Sequence, residues 1–283
     1  MTRESTLEYT AIREQFHELA NLINEPITVY LIGGGALTLQ ELKNATKDID
    51  LIVREEYELK QLWAALTAAG YEPPEDLEQE YDELDAAFIL ENGKRRFDVF
   101  HRQVAGVLML SDDMEARSQH LFEDGPLTVR MVSLDDIFLF KSVANRDDDV
   151  DDMVVLAQAG IDEELIVQEV HTQLSLIGRD EFVGAMKHKL ARLKEQGYSF
   201  DIQDEIERLH SRTVDGERVA QCIRLLAETE YDDDLYEGVP ERTVESRVGE
   251  ETATSGIKWL HQIGLVRYGE DGSLVLQEKI ENK

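Results

Sequence analysis

Apolar positions follow two different periods along the N-terminal part of this chain, and each change of period marks an element. Between residues 5 and 24 they return every three or four positions, which predicts an amphipathic helix. Ile27 to Ile32 is an unbroken apolar run rich in β-branched residues, predicting a buried strand that stops at Gly33, Gly34 and Gly35. Ala36 to Leu42 then reads as a helix, Asp48 to Val53 as a strand, and Tyr57 to Ala69 as a helix ending at Gly70 before the Pro73-Pro74 break. Ala86 to Leu90 and Lys94 to His101 flank Glu91-Asn92-Gly93, and Asn-Gly suits the tight turn of a hairpin. Val104 to Met109 and Leu127 to Met131 read as strand-like or irregular cover, and from about Leu134 to His210 the spacing is mainly helical. The C-terminal stretch changes again. Glu217 to Ala227, Glu241 to Gly249 and Thr252 to Ile263 predict three short helices, followed by two strands around Gly269 to Gly272.

Alternation along the second strand places Asp48, Asp50 and Ile52 on one face and Ile49, Leu51 and Val53 on the other. Two carboxylates on one edge are oxygen-only ligands, suited to Mg²⁺ or Mn²⁺ rather than zinc. The preceding glycines permit positive φ and close approach of a ligand, and the N–H groups of the helix after them would face an anion such as a triphosphate. In Arg95 to His101, Phe97 and Val99 point to the core and leave Asp98 on the opposite face with Phe100. If that strand lies beside the Asp48/Asp50 strand, Asp98 completes a triad able to hold two ions about 3.5–4 Å apart, one activating a hydroxyl and the other holding the triphosphate.

The segment GGGALTLQELKNATKDIDLIV followed by RRFDVF resembles the nucleotidyltransferases of the DNA polymerase β-like superfamily, in particular a small prokaryotic branch with a TKDIDL-type segment. The resemblance implies an α/β (α+β) fold: a mixed sheet with flanking helices. It implies that Gly33 and Gly34 contact NTP phosphates, that Asp48 and Asp50 bind metal, and that Asp98 binds metal and helps deprotonate the acceptor. The serine usual after the glycines is replaced by Gly35-Ala36, which removes a hydroxyl that often touches a phosphate. Similarity extends to the stretch from Ser133, paired with Asp136 as a helix N-cap, to Asp152. There a basic helix residue and an Arg/Asp-rich segment make Lys141 and Arg146 candidate nucleotide-binding residues, while Asp147 to Asp149, Asp151 and Asp152 read as a solvated helix start. The implied activity is transfer of a nucleoside monophosphate from NTP to an acceptor hydroxyl of RNA, protein or a small molecule, with Mg²⁺ or Mn²⁺ as cofactor.

Charge alters this picture in one respect. The chain has 60 Asp and Glu against 29 Lys and Arg, a net charge of -31, yet 42% of its 283 residues are hydrophobic and the acid is spread over periodic segments. That distribution argues against a disordered tail and resembles proteins of salt-accumulating archaea, in which ions screen self-repulsion; the Debye length at 1 M is about 3 Å. Acidity therefore does not by itself exclude a nucleic-acid substrate, although no broad basic patch supports one. No apolar stretch approaches the roughly 18–20 residues of a membrane span, and the Met1 to Ser5 start lacks the apolar region of a signal peptide, so a cytoplasmic protein is expected. Cys222, in the apolar run VAQCIRLLA, reads as a buried structural thiol, and His101 as a strand-end residue in contact with solvent.

Three regions are expected: a nucleotidyltransferase-like domain at 1–160, a helical segment at 161–212 and a winged-helix-like module at 213–283. The last offers Thr252, Thr254, Ser255, Lys258 and His261 on the helix in the recognition position, but it is acidic, which favours dimerisation or substrate docking over DNA binding. Two other readings stay open: a non-catalytic nucleotidyltransferase-like regulator or toxin–antitoxin component acting with a partner protein, and a winged-helix DNA-binding regulator.

Overall fold

The computed structural model describes residues 9–74, 85–93, 95–144, 148–177, 180–230 and 238–277. The chain divides into two compact units, residues 1–169 with 188–199, and residues 170–187 with 200–283.

The first unit is built on a six-stranded mixed sheet of β1 (Ile27–Ile32), β2 (Ile49–Val53), β3 (Phe88–Asn92), β4 (Arg95–His101), β7 (Gln119–Asp124) and β8 (Leu127–Met131), in the order β3-β4-β2-β1-β8-β7. Two residues each of β5 (Gln103–Val104) and β6 (Leu108–Met109) form a separate small ladder. β1 runs antiparallel to β2 and parallel to β8, and β2 runs parallel to β4. Interior strands covered on both faces should be continuously apolar rather than alternating, and β1 and β2 are buried almost throughout. The helices of this unit are α1 (Tyr9–Ala20), α2 (Gly33–Leu39), α3 (Glu56–Ala68), α4 (Asp112–Arg117), α5 (Leu134–Val143) and α6 (Asp148–Ala159). Phe97 of β4 is fully buried, edge-on to Phe16 of α1 and to Tyr71, and burial of such a ring contributes about 2–3 kcal/mol.

Helix α5 is fixed at its start by a dense polar contact. The Ser133 hydroxyl accepts from the Asp136 backbone N–H and donates to the Asp136 carboxylate at 2.8 Å, so the expected cap forms. Arg117 of α4 forks onto the same carboxylate and also reaches Glu169 at 2.6 Å. Burial pushes the Asp136 carboxyl up, against the opposing pull of Arg117 and Ser133. This clamp sets the register of the helix that carries Lys141.

Helices α7 (Glu163–Ile177) and α8 (Glu181–Glu195) carry the chain between the units. The second unit continues with α9 (Ile202–Glu230), α10 (Glu241–Val248), α11 (Glu250–Gln262) and the antiparallel pair β9 (Val266–Tyr268) and β10 (Leu274–Leu276), to which Val239 adds a bridge opposite Leu274. Trp259 is buried and its indole N–H donates to Asp180 at 2.8 Å, while Cys222 is buried as expected. No helix among the described residues is long and apolar enough to cross a membrane.

Two expectations need correction. The glycines do not form a turn ahead of a helix at Ala36 to Leu42; they are its first turn, and α2 spans Gly33–Leu39. Leu127–Met131 is an interior strand rather than cover. The neighbouring β7 has no apolar alternation because it is an edge strand, partly exposed along its length, and so gives little sequence signal.

Candidate active site

Asp50 and Asp98 are register partners across the parallel β2–β4 pair, and Asp48 precedes β2 by one residue in the same side-chain phase as Asp50. One carboxylate oxygen from each of the three lies within 4.8 Å of the others. All three are buried, with relative exposures of 8% for Asp48, 3% for Asp50 and 1% for Asp98. Like charges gathered away from water are costly unless opposite charge meets them. A divalent cation would supply that charge, and an all-oxygen donor set of this span fits a hard cation.

Part of the compensation is built in. Arg96, two residues before Asp98 and therefore on its face of β4, forks onto it with Nε–Oδ1 at 2.6 Å and Nη2–Oδ2 at 3.2 Å. Such charge-assisted pairs fix the orientation of a carboxylate as well as its charge. The period-2 spacing of Arg96 and Asp98 was the available signal for this role, but sequence reasoning assigned Arg96 none.

The glycines hold the carboxylates' space open. Gly33 has φ of 62°, and a Cβ added there would lie 2.1 Å from Asp50 Oδ2. At Gly34 a Cβ would lie 2.6 Å from Thr46 Oγ1, whose hydroxyl donates to the Asp48 backbone carbonyl at 3.1 Å. Positive φ is thus required at Gly33 and not at Gly34. We expect Gly33→Ala to cost about 1–2 kcal/mol for the left-handed backbone and to push the Asp50 carboxylate aside. Denaturant unfolding together with Mn²⁺ titration checks this; a variant with wild-type stability and wild-type metal affinity would refute the constraint.

Ile32, Gly33, Asp50, Phe100, Phe140 and Lys141 border a cavity of about 30 Å³. It holds a water-sized occupant, whereas small-molecule sites run to about 300–1,000 Å³, so a nucleoside must lie outside it.

Lys141 is buried in this wall rather than solvated. Its Nζ donates to Asp149 Oδ1 at 2.7 Å and lies 2.9 Å from Asp152 Oδ2. Asp149 and Asp152 share a face of α6 by their three-residue spacing and are 1% and 5% exposed. They are internal counter-ions, which corrects the reading of a solvated helix start for these two; Asp151 is exposed as expected, and Asp147 lies outside the described residues. Lys43 donates to Asp152 Oδ1 at 2.8 Å, and Lys189 stands 4.0 Å from Asp149. Burial raises the Asp152 carboxyl, but Lys141 and Lys43 outweigh it and hold the group below the usual carboxylate range. Lys43 was not singled out from sequence, and Asp149 and Asp152 were read only as surface acids, because in so acidic a chain no local pattern distinguishes them. Arg146 lies outside the described residues. His101, at the end of β4, is partly exposed, while its Nε2 is enclosed without a hydrogen-bond partner among the described residues.

Residues 8–174 match a family model described as a nucleotidyltransferase of unknown function, DUF6036. No curated protein matches the chain. The matched stretch contains the glycines, all three clustered aspartates and both Lys43 and Lys141. Since it spans more than half of the sequence, the chain belongs to this nucleotidyltransferase family.

Proposed function

We propose that the protein transfers a nucleoside monophosphate from NTP to an acceptor hydroxyl, using Mg²⁺ or Mn²⁺ and releasing pyrophosphate. The observation that carries this reading is the convergence of Asp48, Asp50 and Asp98 beside Gly33. When bound, a divalent cation would neutralise phosphate charge and lower the pKa of the attacking hydroxyl. The chain's own residues do the rest. Asp48, Asp50 and Asp98 would hold the cation; Gly33 and Gly34 let phosphates approach the backbone; Lys141 contributes positive charge on the cavity wall. Arg96 fixes the orientation of the Asp98 carboxylate, so that it can take the acceptor's proton as the new P–O bond forms at the α-phosphorus and the α–β bridging bond breaks.

Several features set the expected context. The acidic composition supports a salt-accumulating, cytoplasmic setting. The helices α9 to α11 with the β9–β10 pair suit a winged-helix-like module. Lys258, Thr254 and Ser255 of its α11 share a groove with Glu250 and Glu251, which would repel nucleic-acid phosphates, so docking of a protein or of a second copy is the reading we favour over DNA recognition.

The test is incubation with NTPs labelled at the α- or the γ-phosphate, in molar KCl with Mg²⁺ or Mn²⁺ and total cell RNA and protein. Covalent incorporation of the α-label alone is expected. Incorporation of the γ-label would indicate phosphoryl transfer instead, and absence of both metal-dependent NTP binding and labelling would favour a non-catalytic regulator.

A further inference from the structure

The second unit carries a groove walled by Arg218, Gln221, Cys222, Leu225 and Leu226 of α9 and by Arg247 and Val248 of α10. The α9 residues recur every three or four positions and so share one face of that helix. The groove has a volume of about 560 Å³. Leu225 is 53% exposed beside the buried Leu226 and Cys222. A single exposed leucine needs no explanation, but this one shares its groove with two exposed arginines. Arg218 has no ion pair among the described residues. The walls carry no carboxylate, in a chain with 60 acidic residues against 29 basic ones. By contrast, the groove on α11 includes Glu250 and Glu251, and the cleft between α1 and β7 includes Glu14, Glu18, Glu123 and Asp124. No strand borders the α9–α10 groove, so an extended peptide gains no ladder of backbone hydrogen bonds there. A helix satisfies its own backbone and suits a groove made by two helices.

We infer that this groove docks an acidic amphipathic helix of a partner protein. An apolar side chain of that helix packs on Leu225, Leu226 and Val248, and Asp or Glu residues about one turn away pair with Arg218 and Arg247. Arginine suits this task because its planar guanidinium meets a carboxylate with two parallel donors. Positive charge beside an apolar base selects an acidic partner and rejects a basic one. Repulsion between two acidic proteins acts at long range and is screened in molar salt, where the Debye length is about 3 Å, whereas contact pairs and apolar burial persist. This surface rests on the docking reading of the C-terminal module, to which it gives a place and a partner chemistry, and it is independent of nucleotidyl transfer.

A phage-displayed library of random peptides in a helical frame, selected on the full chain in molar KCl, tests the groove. Enriched sequences should carry Leu, Ile or Phe at helical spacing with Asp or Glu alongside. Fluorescence anisotropy of the enriched peptides, labelled with fluorescein, measures their affinity. Leu225→Ser should weaken binding about tenfold or more, and Arg218→Glu by a similar factor. Peptides remade with Lys in place of Asp and Glu should bind Arg218→Glu better than wild type, a reversal that damage to the fold does not produce. Both positions are exposed, and Arg218→Gln, which should weaken the acidic peptides about threefold or more, supplies the measurement if Arg218→Glu unfolds. Leu176→Ser, at a leucine of α7 that is 48% exposed, and Arg267→Glu on β9 should change affinity by less than about twofold. No enrichment, enrichment of basic or uncharged peptides, or affinity that survives Leu225→Ser and Arg218→Glu overturns the groove. Affinity lost with Lys258→Glu instead places docking on α11, which overturns the groove and keeps the docking reading. Dimerisation in analytical ultracentrifugation that Leu225→Ser abolishes makes a second copy the occupant and overturns the partner helix. Each of these results leaves nucleotidyl transfer to its own labelling assay.

Discussion

Asp50→Asn will lower nucleotide transfer by orders of magnitude and leave the fold standing. The substitution keeps the shape of a side chain set between Gly33 and Asp98, so β2 retains its register, but it removes one of the three clustered charges that would hold a cation. Metals contribute several kcal/mol to stabilising charge on a transferring phosphoryl group, and about 1.4 kcal/mol is already tenfold in rate. Single-turnover transfer of α-label measures the effect. Glu207→Gln, an exposed change on α9, removes one acidic charge elsewhere and should leave the rate within about twofold, as surface substitutions usually cost little. Equal rates for wild type and Asp50→Asn would reject the site.

The second large effect is on stability. Lys141→Met will destabilise the first unit by about 3–5 kcal/mol, the usual cost of removing one partner from a buried ion pair. Asp149, 1% exposed, would keep Lys189 only at the longer distance of 4.0 Å, and both it and Asp152 would lose the Lys141 ammonium that now lies within 3 Å. Denaturant unfolding should show a lowered midpoint with an unchanged slope. Adding Asp149→Asn to Lys141→Met should recover part of the loss, because the stranded charge is then gone. A midpoint within 0.5 kcal/mol or so of wild type, the range of ordinary surface changes, would mean that Lys141 is not electrostatically essential to the fold.

The sequence was readable where one physical cause dominated. Ile27 to Ile32 coincides with β1 because a short run dominated by β-branched and other large apolar residues packs best when covered on both sides. The side-chain phase of Asp48, Asp50 and Asp98 followed from simple alternation. Their proximity did not: it depends on the parallel pairing of β2 with β4, for which adjacent residues carry no signal, and the resemblance supplied it. The glycines were assigned to a turn because glycine is a poor helix former, yet helix is what the chain adopts there, with Asp50 and Thr46 filling the space where side chains would be. Asp149 and Asp152 looked like surface because acids in this composition almost always are. Only the fold reveals that two of them face lysines.

The carboxylates ride on β2 and β4, both interior strands of the sheet. Backbone amides at such positions exchange with solvent only when the domain opens as a whole, whereas the edges at β3 and β7 can fray at far lower cost. The charge cluster is therefore expected to keep its geometry when the sheet edges fray. The same placement makes the site all-or-none, since a molecule that has lost the central strand pairing retains no weakened version of the cluster, only three separated acids on a chain with many others.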